Sequence, residues 1–477
     1  MSKDKIKNNT YDKKLCDKKM TFDECESVIL RSAVDDINEQ IESKKTSNID
    51  IKKLIGVVED FIRKKKLICY GGTAINNILP KYAQFYNVET TIPDYDCYSP
   101  NPIEDAKELA NIYHQNGYKD IEAKSSAHYG TFKVFVNFIA VADITYINEE
   151  IYKNISKNTI KIDGIHYAPP DYLRLSMYSE LSRPKGDIDR WEKILPRLQL
   201  LNKYYPLPKT TCEEKDFVNK RNIPSELNEL IRNTLINNGA VFFGGYASLL
   251  YSKFMNDEEK NLIKNIPDFD VLCENPQKTI NILSEQLKAN KQKTKIIFHK
   301  GIEKILPPHY ELKVNNKSLV FAYEPIACHN YHIIKKDGQE INVATVETIL
   351  SFYLLFISIN LECYNKNRLL CMSNFLFTTF EENKQKNKGL FKRYPLNCIG
   401  KQKSRGDLRT EKAQKYKEFK NRHVNPNSKE YEMWFLKYAP FKKKSKSRKF
   451  KPNQFNKTRK NKESGLTLAK LENSFLF

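Results

Sequence analysis

The chain has 477 residues, 40% of them hydrophobic and 12% aromatic, with only 16 glycines, which excludes a wholly disordered, fibrous or low-complexity protein and sets two or three domains as the expectation. Its net charge of +22 is segregated: residues 383–477 hold 28 Lys+Arg against 7 Asp+Glu, so residues 1–382 are close to neutral. A near-neutral body with a basic C-terminal quarter points to a polyanionic partner, nucleic acid first and an anionic membrane surface second.

In chain order, residues 1–50 read as a polar, Lys-rich arm followed by a helix over Phe22–Ser43, with Val28, Ile29, Ala33, Ile37 and Ile41 on one face. Ile51–Lys66 reads as a second helix with Leu54, Val57, Val58 and Phe61 inward, and Leu67–Tyr70 as a short strand ending in Gly71-Gly72. Phe132–Ile147 reads as one long strand or a hairpin, and Pro170–Tyr205 as helical. The longest apolar run, Ile349–Ser358, is far short of the ~20 residues a membrane span needs and reads as a buried helix. The ten cysteines form no CxxC pair. With no secretory signal ahead of them, reduced thiols are expected, and no zinc site. Lys442–Lys462 has 11 Lys/Arg and no acid and reads as disordered when alone.

An internal repeat organises the body. Tyr70-Gly71-Gly72-Thr73-Ala74, then Pro93-Asp94-Tyr95-Asp96, then Asn101-Pro102 is followed by Phe243-Gly244-Gly245-Tyr246-Ala247, then Pro267-Asp268-Phe269-Asp270, then Asn275-Pro276. The second glycine precedes the first aspartate by 22 residues in one copy and 23 in the other. Lys161-Ile162-Asp163-Gly164 is echoed by Lys336-Asp337-Gly338, each followed by an apolar helix. Two copies exclude a solenoid and indicate a duplicated domain.

The chemistry concentrates in the first copy. Asp94 and Asp96, two apart on a strand, share a face. Two adjacent carboxylates repel unless a cation lies between them, and a pair of divalent ions is the usual solution in phosphoryl transfer. Asp143 is the only acid in the apolar stretch 132–147, where an isolated carboxylate needs a partner, and it is the natural third ligand. Gly71, Gly72 and Thr73, ahead of a helix, suit phosphate binding. In the second copy the matching stretch, Ser318–Pro325, has no aspartate; Glu324 is its only acid, so that copy is expected to be catalytically silent. Each feature also has an ordinary reading: a plain turn at Gly71-Gly72, a solvated edge at Asp94 and Asp96, a buried salt bridge at Asp143, helix-surface charges at Arg183 and Arg190.

Gly-Gly, then Asp-x-Asp, then a distal Asp resembles the polymerase-beta-like nucleotidyltransferases. Tyr70-Gly71-Gly72-Thr73-Ala74, Pro93-Asp94-Tyr95-Asp96 and Arg183-Pro184 with Asp187 and Arg190-Trp191-Glu192-Lys193 look like the poly(A) polymerase catalytic subunits of large DNA viruses, giant-virus and poxvirus-like. The Gly-to-Asp spacing departs from the compact superfamily pattern and leaves an insertion, Lys81–Thr91, beside the site. The resemblance implies a mixed α+β fold of two tandem nucleotidyltransferase-like domains. Their expected bounds are 51–205, catalytic with following helices, and 206–382, degenerate; a basic, partly disordered RNA-binding region follows at 383–477. It implies Asp94, Asp96 and Asp143 as ligands of Mg²⁺ or Mn²⁺, and ATP as substrate with its phosphates on Gly71, Gly72 and Thr73. Arg183, Lys185 and Arg190 are candidate phosphate contacts, and Tyr167 or Tyr172 candidates for stacking on adenine. Lys442, Lys443, Lys444, Lys446, Arg448 and Lys449 are the RNA-binding candidates. The RNA 3′ end, a homodimer, a processivity or capping partner and a place in a cytoplasmic viral factory or virion complete the expectation, with no membrane partner. A terminal uridylyl or oligonucleotide transferase of the same fold, and a non-catalytic RNA-binding or assembly protein on a decayed fold, stay open.

Overall fold

The structure, a computed structural model, describes residues 15–440 apart from 17–19, 47–48, 87–92, 218–223, 265–267, 303–304 and 362. The basic candidates from Lys442 to Lys449 therefore lie outside the described residues.

Seven strands of the first copy are β1 (Ile68–Tyr70), β2 (Tyr95–Ser99), β3 (Ile121–Ser125), β4 (Thr131–Val136), β5 (Ile139–Tyr146), β6 (Ile160–Ile162) and β7 (Ile165–Tyr167). The second copy supplies β8 (Val241–Phe242), β9 (Phe269–Leu272), β10 (Thr294–His299), β11 (His309–Val314), β12 (Lys317–Tyr323), β13 (His329–Lys336) and β14 (Gln339–Ala344). Two short strands follow, β15 (Cys398–Ile399) and β16 (Lys437–Tyr438). The sheets run β16-β3-β4-β5-β2-β1-β7-β6 and β10-β11-β12-β9-β8-β14-β13-β15. Strand for strand the two copies have the same order, each with one edge strand added from the C-terminal segment, and the duplication read from the motifs is a duplication of topology.

Local chemistry accounts for the hairpins. Phe132–Ile147 is a hairpin, turning at Asn137-Phe138 with φ of 49° and 65°. Asp163-Gly164 and Asp337-Gly338, the echoed pair, turn the hairpins β6–β7 and β13–β14 with positive φ at both residues, the conformation that two-residue turns require. After each hairpin comes the expected apolar helix, Pro170–Leu181 and Val346–Ile359. These two helices pack on one another and join both copies into one continuous apolar core. The run 349–358 is the buried helix anticipated. Among the described residues no helix is long and apolar enough to cross a membrane.

Two expectations are corrected. The helix Phe22–Thr46 forms, but Ile29 and Ile37 on its predicted inner face are exposed, because nothing else in the described chain packs over them. Six cysteines, expected as thiols, pair as disulfides: Cys16–Cys25, Cys212–Cys371 and Cys328–Cys398. Their Cα atoms lie 5.3, 5.8 and 5.3 Å apart, the separation a disulfide spans, and two of the three pairs are remote in sequence. The basic region is more folded than its composition suggests. After β15 it forms helices Arg405–Asn421 and Lys429–Phe435 and returns to the first copy, where β16 pairs β3 and Lys107 Nζ bonds the Glu432 carboxylate at 2.7 Å.

Candidate active site

β2 lies antiparallel to β1 and parallel to β5, and that register places Asp96 opposite Asp143. On β2, Tyr95, Cys97 and Ser99 point into the core, which turns Asp96 to the other face. Asp94, just before the strand, is exposed. Burial pushes the Asp96 carboxyl up to about 7, helped by the charges of Asp94 and Asp143 and opposed by Lys133 and Arg190. Burial likewise raises Asp143, against the pull of Lys133. The mutual repulsion expected from sequence is therefore present. Lys133 on β4 stands in register with Asp143 and pairs with its Oδ2, while Asp143 Oδ1 is buried without a hydrogen-bond partner. The salt-bridge reading of Asp143 is thus satisfied on one oxygen and leaves the other free.

The first glycine is explained by these carboxylates. Gly71 has φ +76°, and a Cβ there would sit 2.5 Å from Asp96 Oδ2. Only a residue without Cβ lets the strand end and the carboxylate come this close. The helix Gly71–Ile78 starts here, so its first N–H groups open beside Asp96. Thr73 is not a free phosphate ligand: it is buried, and its hydroxyl donates to the Asp94 carbonyl at 2.8 Å. It fixes the start of β2 against the helix.

Residues 56–187 match the family model "Poly(A) polymerase catalytic subunit". Over these residues the chain is similar to the poly(A) polymerase catalytic subunits. Asp94, Asp96, Asp143 and the Gly71-Gly72 turn all fall inside this matched segment. A protein of African swine fever virus described as a poly(A) polymerase catalytic subunit is 37% identical over 188 residues, 37% of this chain and 39% of the relative. A mimivirus protein of the same description is 32% identical over 215 residues, 44% of this chain and 33% of the relative. The matched stretch thus spans well under half of these relatives. The crystal structure of the Megavirus polyadenylate synthase superposes with a TM-score of 0.68 at 22% identity, over 86% of each chain; this likeness establishes the shared fold.

The other candidates separate. Arg190 faces the site, lowering Asp96 through its charge, and pairs with Glu180 at 3.4 Å. Lys185 is exposed. Arg183 turns toward the second copy, into a cavity that also holds His329. Tyr167 and Tyr172 are buried, Tyr167 bonded to Asn77 and Tyr172 against the edge of Tyr98, with Tyr172 also lining the cavity that holds His329. Sequence reasoning missed Arg197. A Cβ on Gly72 would meet Tyr86 Oη at 2.6 Å and Arg197 Nη1 at 2.9 Å. Arg197 donates to Tyr86 Oη at 3.0 Å and lies over the rings of Phe85 and Tyr86. Asn76 Oδ1 in turn accepts from the backbone N–H groups of Phe85 and Tyr86, both at 2.8 Å. The insertion noticed in the sequence therefore begins by holding a guanidinium over the Gly-Gly turn. No local pattern marks Arg197; its helix, Trp191–Tyr204, reads as an ordinary amphipathic one.

The second copy has the same frame with different contents. β9 lies parallel to β12, and Asp270 faces Phe321 where Asp96 faces Asp143. Asp268 and Asp270 are each 5% exposed. Arg368 Nη2 lies 3.4 Å from Asp268 Oδ2, and Tyr364 Oη donates to Asp270 Oδ1 at 2.6 Å. An arginine thus pairs with one carboxylate and a phenol hydrogen-bonds the other from within the chain.

The residues of the first copy fit divalent ions by two observations: carboxylates whose charges destabilise one another, and an orphaned buried Asp143 Oδ1. Among the described residues no three His, Cys, Asp or Glu side chains are gathered into a ready cage, since Asp94 stands outside and Lys133 holds one oxygen of Asp143.

Proposed function

We propose that the chain is a template-independent poly(A) polymerase that transfers AMP from ATP to RNA 3′ ends. The observation that carries this is the register pair Asp96–Asp143, with Asp94 beside it, at the mouth of the Gly71-Gly72 turn. Asp94, Asp96 and Asp143 would hold Mg²⁺ or Mn²⁺, which when bound supplies Lewis-acid activation of the attacking hydroxyl and neutralises charge on the leaving group. The backbone N–H groups at Gly71 and Gly72 and the Arg197 guanidinium receive the ATP phosphates. The RNA 3′-hydroxyl attacks the α-phosphorus; a new P–O bond forms as the α–β bridging bond breaks, and pyrophosphate leaves. Lys133 balances the carboxylates before substrate arrives, and Arg190 adds positive charge on the open side. The basic residues from Lys442 to Lys449 serve as a sequence-independent RNA contact, and a homodimer, with a processivity or capping partner, is carried by the resemblance alone.

Primer extension tests the reading. A labelled single-stranded RNA with Mg²⁺ or Mn²⁺ should gain long tails with ATP alone, and none in the Asp94→Ala/Asp96→Ala variant. Equal short additions with UTP or CTP would replace the proposal with a terminal transferase of the same fold. RNA binding without any extension would leave a binding protein. Removing residues 441–477 should flatten the salt dependence of RNA affinity, and an unchanged slope would move the RNA path elsewhere.

A further inference from the structure

Between the two copies, under the helices Pro170–Leu181 and Val346–Ile359, lies a cavity of ≈ 140 Å³, roughly ten times the ~10–15 Å³ that one water requires. About half of its wall is apolar, including Leu175, Ile305, Pro307, Ile326, Phe352 and Leu355. The polar groups it gathers are unusual for such a setting. His329, at the start of β13, is 3% exposed, and neither of its ring nitrogens has a hydrogen-bond partner. Arg183, from the segment after the first helix, has a buried Nε that is also unpartnered, while its Nη2 donates to Ser179 Oγ at 2.6 Å. The salt bridges among the described residues give Arg183 no carboxylate; Glu180, the nearest acid to act on it, pairs with Arg190. Burial, with the charge of Arg183 adding, pushes His329 down to about 3, so its ring is neutral and offers one N–H and one lone pair.

A half-buried guanidinium with no carboxylate in salt-bridge range, an imidazole with both nitrogens unused and a serine hydroxyl with its proton free are three donors converging on one small volume. Buried polar groups are nearly always paired, and an unpaired set calls for a partner that fills it. An oxyanion with several acceptor oxygens matches three donors and one uncompensated positive charge. We propose that this cavity is a phosphate-binding site built jointly by the two copies, with Arg183 and Ser179 from the first and His329 from the second. Its occupant is a phosphate group, supplied either by an RNA phosphodiester or by free phosphate. The anion chemistry stands on the cavity alone; only the assignment of RNA as the source rests on the polymerase reading. The site also assigns the silent second copy a task, since His329 belongs to it.

The test uses the full chain and two probes, inorganic phosphate and a short oligoadenylate, with binding followed by calorimetry. His329→Phe fills the cavity and removes the N–H; Arg183→Gln removes the charge; Ser179→Ala is the milder third variant should either of these fold poorly. The wild-type protein should bind at least one probe, and the variants should weaken that binding about tenfold or more with an unchanged melting temperature. The same loss should appear in the Asp94→Ala/Asp96→Ala background, which separates this site from the catalytic carboxylates. Weakened oligoadenylate binding with unaltered KM for ATP identifies the RNA backbone as the source; weakened phosphate binding alone identifies free phosphate. Folded variants that bind both probes as the wild type does would overturn the proposal and return the cavity to bound water. Failure of primer extension in the wild type, with phosphate binding intact and His329-dependent, would sink the polymerase reading and leave this site standing.

Discussion

Asp96 and Asp270 occupy equivalent places, each on the strand between the Gly-Gly strand and a parallel neighbour, in sheets of the same order. What faces them differs. Asp96 meets Asp143 across the register and opens toward the exposed Asp94; Asp270 meets Phe321 and is closed over by Tyr364, with Arg368 on Asp268. Even the close approach is shared, since a Cβ on Gly244 would collide with the Asp270 carboxylate as one on Gly71 would with that of Asp96. The Gly-Gly signature therefore serves the packing of an aspartate against a strand end, and is kept where no chemistry is proposed. The difference between an open and a sealed carboxylate pair lies in the third strand and in what the following helices deliver.

The comparison can be broken most directly at the aspartates. Asp96→Asn should reduce primer extension by more than the ~100-fold upper range for loss of a mere supporting partner, while Asp270→Asn should leave the rate within about twofold; equal losses in the two would abolish the distinction. Next in size is Arg368→Ala. It strands two buried carboxylates and should lower unfolding stability by about 3–5 kcal/mol in denaturant titration, whereas Lys133→Ala, beside the more open Asp143, should cost far less. Arg197→Ala should raise KM for ATP by about tenfold, or ~1.4 kcal/mol, with the melting temperature nearly unchanged; an altered kcat at constant KM would place Arg197 outside the phosphate site.

A further expected effect concerns pH. Burial first of all lowers His309 to about 4, His329 to about 3 and His332 to about 4, all in the second copy. Near pH 5 the unfolded chain binds protons at these residues that the folded chain refuses, so stability is full above ~6.5 and is lost as pH falls toward 4, at about 1.4 kcal/mol per pH unit for each histidine. Asp270, raised by burial and Asp268, takes up a proton when folded and opposes this trend. The readout is thus the difference between wild type and His309→Gln, whose melting temperature should fall less steeply between pH 6.5 and 4.

Much of this comparison was legible before any coordinates. The motif repeat announced the duplicated sheet, because strand-turn-helix junctions and Asp-Gly hairpin turns impose backbone conformations that few residue types allow. Asp143 stood out as the single acid in an apolar stretch. The absence of an acid from 318–323 was equally plain, and Phe321 is what the register puts there. The burial of Tyr167 and Tyr172 was not legible, since an aromatic residue looks the same in a sequence whether its face is open or packed.

The sequence by itself determined the two-copy architecture, the carboxylate pair of each copy and the lone third aspartate, all of them patterns carried within a few residues or by one repeat. Tertiary structure alone decided that Arg368 reaches Asp268 across 100 residues of chain and that Arg197 reaches Tyr86 across 111. It likewise brought Cys212 to Cys371 over a separation of 159, and His329 to the cavity of Arg183. Such contacts have no local signal because they depend on how apolar helices pack over the sheets, and packing answers to the whole core and not to neighbours in the chain.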